Sequence, residues 1–425
     1  MHARARASSP GDTVARAMCG HGRGDQPPWR FTEPRPQASL RRPALARVAG
    51  ARDPAPLAID FGVGSLKILQ LGGGDPPALV AAAELETPDD KLYDHAKRLR
   101  WQMEQLPTLV RKGSFKTTRA VCAIPTSTLF CKHLQFQSGE GISLEDQVEG
   151  AMPSQVGCAA DELLTRHVDV GDTARAGRRE VICFAVGRAV VARLMYAIKA
   201  AKLEPVGIHN EFHAILAAFG YPQGEAREND EPTLYLDLGR GTTKILAARG
   251  GKMLFARAIQ FGGLNLDETI VRQLKCSLPQ AKSYRLSMES ISPQDAPTGA
   301  PAEHVEGANP SHASPATATV AKVMHKIDLS EPVEILVDEI SMCLRYLRST
   351  LPNERIQKIV FLGGESRHHP LCAEIARKLR LPAQAGDPLT RVARAGSEPC
   401  VGVDLSEPQP GWGVAMGMCL SPTDL

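Results

Sequence analysis

Two rhythms of apolar and polar positions run along this chain. "LAID" (Leu57–Asp60) and "LYLD" (Leu234–Asp237) are unbroken apolar runs that end on an acidic residue, as short buried strands do. Glycines follow each one, and then "SLKILQL" and "TTKILAAR" read as returning strands, so each stretch predicts a hairpin with a glycine tip. "TLFCKHLQF" alternates as a strand, "LLTRHVDV" and "EVICFAVG" read as two more, and "GKMLFARAIQFGG" as a strand and turn. A helical period appears elsewhere. Val191, Leu194, Ile198 and Ala201 share one face of "RAVVARLMYAIKAAKL". Val333, Leu336, Ile340, Leu344 and Leu347 share a face of "EPVEILVDEISMCLRYLRS", and Leu371, Ile375 and Leu379 align in "HPLCAEIARKLRL". "SLEDQVEGAMPSQV" opens on Ser143 with Asp146 three residues on, an N-cap pattern. "NEFHAILAAFGY" reads as a helix, "LNLDETIVRQLKCSLPQAKSYRLSM" as one or two helices, and "KIVFLGGES" as a buried strand ending in glycines. The final "GWGVAMGMCL" reads as a helix packed against the second half.

Composition bounds what these elements can build. The chain has 425 residues, 43% of them hydrophobic, enough for two cores. Aromatics are only 5%, so the cores should be aliphatic. The net charge of +3 is uneven: residues 1–52 hold ten Arg against three acidic residues, an excess of +7, which leaves −4 for the rest. The folded part therefore carries no basic footprint for nucleic acid, and residues 1–52 read as a disordered basic tail. Residues 290–326 are dominated by Pro, Ala, Ser and Thr and read as a flexible insert that cannot bury enough apolar surface. The ten cysteines show no C-x-x-C spacing and read as reduced thiols. The most membrane-like run, "VICFAVGRAVVARLMYAIKAA", is interrupted by Arg188, Arg193 and Lys199, short of the ~20 nearly uncharged residues a span needs.

The chemistry lies in the duplication. "DFGVGSLK" and "DLGRGTTK" each carry an Asp at the strand end, spaced glycines, hydroxyls and a Lys seven residues after the Asp. Glycine lets the backbone approach an anion, and successive N–H groups form a positive nest. Two facing tips of this kind can grip a di- or triphosphate from both sides. Aspartates beside them suit a divalent cation held through its waters, since Mg²⁺ dehydrates reluctantly. His209 and His213, four apart on the expected helix, and the adjacent pair His368–His369 lack a third ligand or a metal-binding motif and read as structural.

On these motifs, with "FLGGES" as an adenosine-type turn, the chain resembles the actin-like ATPases, and within them the PilM family of type IV pilus assembly proteins. The likeness spans most of residues 57–420 and includes "LEPVGIHNEFHAILAAF" before the second hairpin and "ARAIQFGGLNLDETIVRQL" after it. It implies an α/β, actin-like (ribonuclease H-like) duplicated fold: two lobes, a nucleotide cleft, and a small α+β insert in the first lobe. The implied segments are a first core at 57–126 and 206–232, the insert at 127–205, a second core at 233–262 and 327–425, and a helical nucleotide-flanking unit at 263–289. It implies ATP and Mg²⁺ as cofactors, with Asp60 and Asp237 positioning the metal. Gly62, Val63, Gly64 and Ser65 would cup one side of the phosphates, with Lys67 contacting them, and Gly239, Gly241, Thr242 and Thr243 the other. Gly363 and Gly364 would lie against adenosine, Lys282 and Arg285 beside adenine, and Glu211 where relatives orient an attacking water.

The same resemblance implies a cytoplasmic protein, peripheral at the inner face of the membrane through partners. It would recruit the N-terminal cytoplasmic peptide of a PilN-like bitopic protein of a pilus or type II secretion machine, with self-association a further expectation. Three departures weigh against fast hydrolysis: Ser65 is alone among hydroxyls in the first hairpin, Glu365 follows the glycines of the adenosine turn, and Arg240 sits inside the second hairpin. Competing readings are an FtsA-like filament former, a small-molecule kinase, and a scaffold without turnover. The ending "GMCLSPTDL" lacks the basic amphipathic stretch of FtsA, and no separate substrate motif supports a kinase.

Overall fold

The computed structural model describes residues 55–137, 141–219, 230–292 and 326–421. The basic tail at 1–52, and the Pro/Ala-rich insert except for residues 290–292 and 326, lie outside them.

Two sheets repeat one plan. In the first lobe, β1 (Leu57–Phe61), β2 (Ser65–Leu71), β3 (Leu79–Glu86), β4 (Arg119–Ile124) and β8 (Glu204–Asn210) run in the order β3-β2-β1-β4-β8, with β14 (Cys400–Val401) added beyond β3. In the second, β9 (Pro232–Leu238), β10 (Thr243–Arg249), β11 (Lys252–Ile259), β12 (Lys358–Leu362) and β13 (Ala383–Ala385) run β11-β10-β9-β12-β13. In both, the first three strands are antiparallel neighbours and the last two join in parallel. The hairpin register is also repeated: Asp60 pairs across from Lys67, and Asp237 from Lys244.

The unbroken apolar runs of β1 and β9 follow from burial on both faces. Leu57, Ile59 and Leu66 face Leu106 of α1 (His95–Lys112) and Leu194 and Ile198 of α3 (Arg188–Ala200). Ala58 and Leu69 face the opposite side, in one core with Phe212 and Ile215 of α4 (Glu211–Ala218). The second sheet is covered by α5 (Gly263–Leu274), α6 (Leu278–Leu286), α7 (Ser330–Thr350) and α8 (His369–Leu379), with Val333, Leu336, Ile340, Leu344 and Leu347 of α7 all buried as their period predicts.

Three features differ from the sequence reading. The last helix, α9 (Gly413–Leu420), packs not on the second half but on α4, β1 and β2 of the first. Gly417 makes this crossing close, since a Cβ there would collide with the Ala214 carbonyl, and the Cys419 Sγ lies 3.5 Å from the Leu69 carbonyl oxygen. His209 lies in β8, not on a helix; Pro205 and Gly207 hide this strand from propensity. The insert's own sheet, β5-β7-β6 (β5 Phe130–Gln137, β6 Leu163–Asp172, β7 Arg178–Gly187), is backed by α2 (Leu144–Val156) through Val148, Met152, Val181 and Cys183, whereas α3 packs with the first lobe. The sheet's other side reaches the second lobe. His133 stacks on Phe255 with centroids 4.5 Å apart, and the Tyr346 hydroxyl donates to Glu180 at 2.7 Å. The nine described cysteines are all unpaired, and no described helix is long and apolar enough to cross a membrane.

Candidate functional site

The duplicated register brings the two glycine tips to one cleft. Asp60, Gly62, Val63, Gly64, Ser65 and Lys67 line it from the first lobe, and Asp237, Gly239, Thr242, Lys282, Gly363 and Gly364 from the second, with Glu211 between them at the start of α4. The tips touch: a Cβ at Gly241 would fall 2.9 Å from the Val63 side chain, and one at Gly64 would fall 3.1 Å from the Arg240 Cβ. The N–H groups of Val63, Gly64, Arg240, Gly241 and Thr242 make no backbone hydrogen bond among the described residues. Those of Val63, Gly64, Arg240 and Thr242, which line the cleft, are donors that a phosphate would take up. The cleft encloses about 200 Å³, below the ~300–1,000 Å³ usual for small-molecule sites. Lys282 also pairs with Glu86 across it at 3.5 Å, so entry of a whole nucleotide calls for the lobes to part.

Several predicted residues fall elsewhere or are already committed. Thr243 is buried and donates to the Phe261 carbonyl at 2.8 Å, outside the cleft lining. Gly241 also lies outside the lining, against Val63. The Gly239 N–H is spent inside its own turn on the Thr242 carbonyl at 3.0 Å. Arg285 does not line the cleft and is fully buried: its Nε lies 2.6 Å from Asp267 Oδ1 and its Nη2 2.6 Å from Glu365 Oε2. Arg240 joins the same cluster through Asp267, with Glu365 at 3.9 Å. The two departures at Arg240 and Glu365 are thus one ion network tying the second tip to α5, α6 and the adenosine-type turn. Its carboxylates hold Arg285 charged against the cost of burial. Lys67 leans back to donate to Ser65 at 2.9 Å and lies 3.5 Å from Glu84, which accepts from the Ser65 hydroxyl at 2.7 Å.

At the turn after β12, Gly363 has φ +83°, and a Cβ there would collide with the Leu238 carbonyl, while the place beside Gly364 is open. This is a backbone surface onto which a flat ring can slide.

Sequence reading missed Lys244. Its ammonium, buried, sits 2.5 Å from Asp237 Oδ2 and 2.7 Å from Glu211 Oε2. The other oxygen of Glu211 accepts the Thr126 N–H at 2.9 Å. Burial works against the charge on Lys244, yet the two carboxylates hold it well above the ordinary lysine range. The signal was present, because Lys244 stands seven residues after Asp237 as Lys67 stands after Asp60. Its partner in the connecting helix was not readable from spacing. The Asp60 carboxyl (the residue is 6% exposed) has no hydrogen bond among the described residues, and burial raises it to about 7, opposed by Lys67 and Lys244.

These donors fit a nucleotide through backbone N–H groups, but they do not fit a divalent cation between the acidic groups. The Lys244 ammonium already takes up an oxygen of both Asp237 and Glu211, and a divalent ion would have to displace it from them.

Two lobes of one strand order, with matching hairpins facing over a shared cleft, define the actin-like ATPase fold. The profile described as type IV pilus assembly protein PilM matches residues 58–293, more than half the chain, and the chain belongs to that family. Among solved structures it is similar to a PilM–PilN type IV pilus biogenesis complex at 20% identity, with 86% of this chain and 98% of that one covered and a TM-score of 0.64. It is similar also to the ethanolamine utilization protein EutJ from Carboxydothermus hydrogenoformans (14% identity, 87% and 90% covered, TM-score 0.46). A third is MreB5 of Spiroplasma citri bound to AMPPNP (13% identity, 87% and 95% covered, TM-score 0.43). No curated protein sequence matches it.

Proposed function

We propose that this PilM-family chain is a cytoplasmic, nucleotide-binding assembly protein of a type IV pilus or related type II secretion machine. It works at the inner face of the membrane by holding the N-terminal cytoplasmic tail of a PilN-like bitopic protein. The observation that carries the nucleotide part is the meeting of two glycine tips, with unpaired N–H groups, in one cleft. Support for the partner comes from the family and from the solved PilM–PilN complex that the chain resembles. ATP is the nucleotide that the resemblance implies, and it would set the angle between the lobes as ligands do in hinge proteins.

Glu211 favours binding without rapid turnover. One of its oxygens accepts a backbone N–H and the other faces an ammonium, so both are engaged before any water arrives. The test is a pull-down from the native host's detergent extract with the full chain as bait, with and without ATP. Recovery of a single-pass membrane protein through its cytoplasmic tail, competed by the synthetic tail peptide, is the expected result. Undiminished recovery in the presence of excess tail peptide would contradict it.

A further inference from the structure

The two lysines of the duplicated hairpins stand at matching register, yet they do different things. Lys67 lies against Ser65 and Glu84, on its own side of the first sheet. Lys244 reaches its cross-strand Asp237 and, beyond it, Glu211 at the head of α4 in the other lobe. Hairpin geometry alone therefore does not dictate the contact, since the same register allowed the other outcome. What differs is the second carboxylate. Glu211 is fixed by the Thr126 N–H, which leaves its other oxygen aimed at the point where a cation between the lobes would sit. That point holds an ammonium.

We propose that Lys244 is a resident cation standing in place of a divalent ion, so that the cleft takes a nucleoside polyphosphate without metal. The inference rests on the nucleotide reading above. An ammonium has three N–H donors, and two are directed at Asp237 and Glu211. Since Lys244 lines the cleft, the third remains for a phosphate oxygen. The lysine offers the phosphate a charged donor, and a second cation would have to displace the ammonium from both carboxylates. Magnesium, which ordinarily needs one or two carboxylates along with phosphate, finds those of Asp237 and Glu211 taken by the ammonium and only that of Asp60 unpartnered.

The experiment measures retention of labelled ATP by the full chain in equilibrium dialysis, once with Mg²⁺ and once with EDTA, for the wild type and for Lys244→Met. Melting of the nucleotide-free proteins with and without Mg²⁺ accompanies it. The wild type is expected to hold ATP within about threefold the same in both media, and its melting to ignore Mg²⁺. The variant is expected to bind at least about tenfold more tightly with Mg²⁺ than with EDTA, and to melt higher when Mg²⁺ is present, because the ion then covers the carboxylates left bare. Loss of wild-type ATP binding in EDTA would overturn the proposal while leaving the nucleotide reading intact, and that arm needs no variant. Absence of ATP binding in either medium would overturn both. A variant that fails to fold without Mg²⁺ and is recovered with it supports the proposal. One that folds and binds ATP equally in both media contradicts it.

Discussion

Asp60→Asn should stabilise the protein in a way that depends on pH. Asp60 is 6% exposed beside Lys67, Glu211, Lys244 and Asp237. Desolvation is the largest influence and lifts its carboxyl from 3.8 to about 7, with the two lysines pulling down and the two acids pushing up. Between those values the native state keeps a proton that the unfolded chain has released. The unfolded state then binds fewer protons, so this group's contribution to stability falls as pH rises through the window and levels off above it. The difference from 3.8 to about 7, at about 1.4 kcal/mol per tenfold, bounds the effect near 4 kcal/mol; relaxation and water entry reduce it to roughly 2–4 kcal/mol. Asparagine has the same shape and no charge to bury. Urea unfolding of the nucleotide-free wild type and variant, side by side from about pH 4.5 to about pH 8.5, reads the difference directly. The variant should gain on the wild type from about pH 4.5 to about pH 7, and the gap should then hold up to about pH 8.5. A gap that stays constant with pH, or one that closes as pH rises, would refute the placement of this carboxyl in a desolvated pocket.

Arg285→Met takes the close cation from Glu365 and leaves Asp267 with Arg240 alone and should cost about 3–5 kcal/mol by urea unfolding; a loss below about 1 kcal/mol would mean that the network is open to water. Gly417→Val drives a side chain into the α4 backbone at Ala214 and should lower stability by about 3 kcal/mol or more, or abolish soluble expression; a thermal melt matching the wild type would show that α9 does not cross there. Ser143→Ala removes the acceptor for the Asp146 N–H and should weaken α2 by about 1 kcal/mol, seen as faster amide exchange in Leu144–Val156 but not in β9 or β12.

Much of this architecture was legible. The repeated strand–glycine–strand stretch fixed both hairpins, because a chain that places Asp, Gly and Lys at equal spacing twice is specifying one register twice. The long α7 showed in its period, and the Ser143 cap in its spacing. What stayed hidden depended on contacts between distant segments. The edge strand β14, two residues long, has no pattern to read. α9 is apolar nearly all round, so its sequence could not say which sheet it would cover. Arg285, expected beside adenine, is instead enclosed by Asp267 and Glu365, 18 and 80 positions away in the chain. Lys244 was hidden in the same way. Its strand was clear, but its role depends on Glu211, which arrives from the other lobe.

The central claim is that the two tips enclose one nucleotide between the lobes. Photolabelling of the full chain with 8-azido-ATP, followed by peptide mapping, tests it most directly. Labelled peptides should fall at Lys282–Leu286, at Gly363–Glu365 or at Pro410–Val414, the walls beside the adenosine-type turn, and unlabelled ATP should suppress them. Label that falls outside these walls, or that ATP does not displace, would contradict the account.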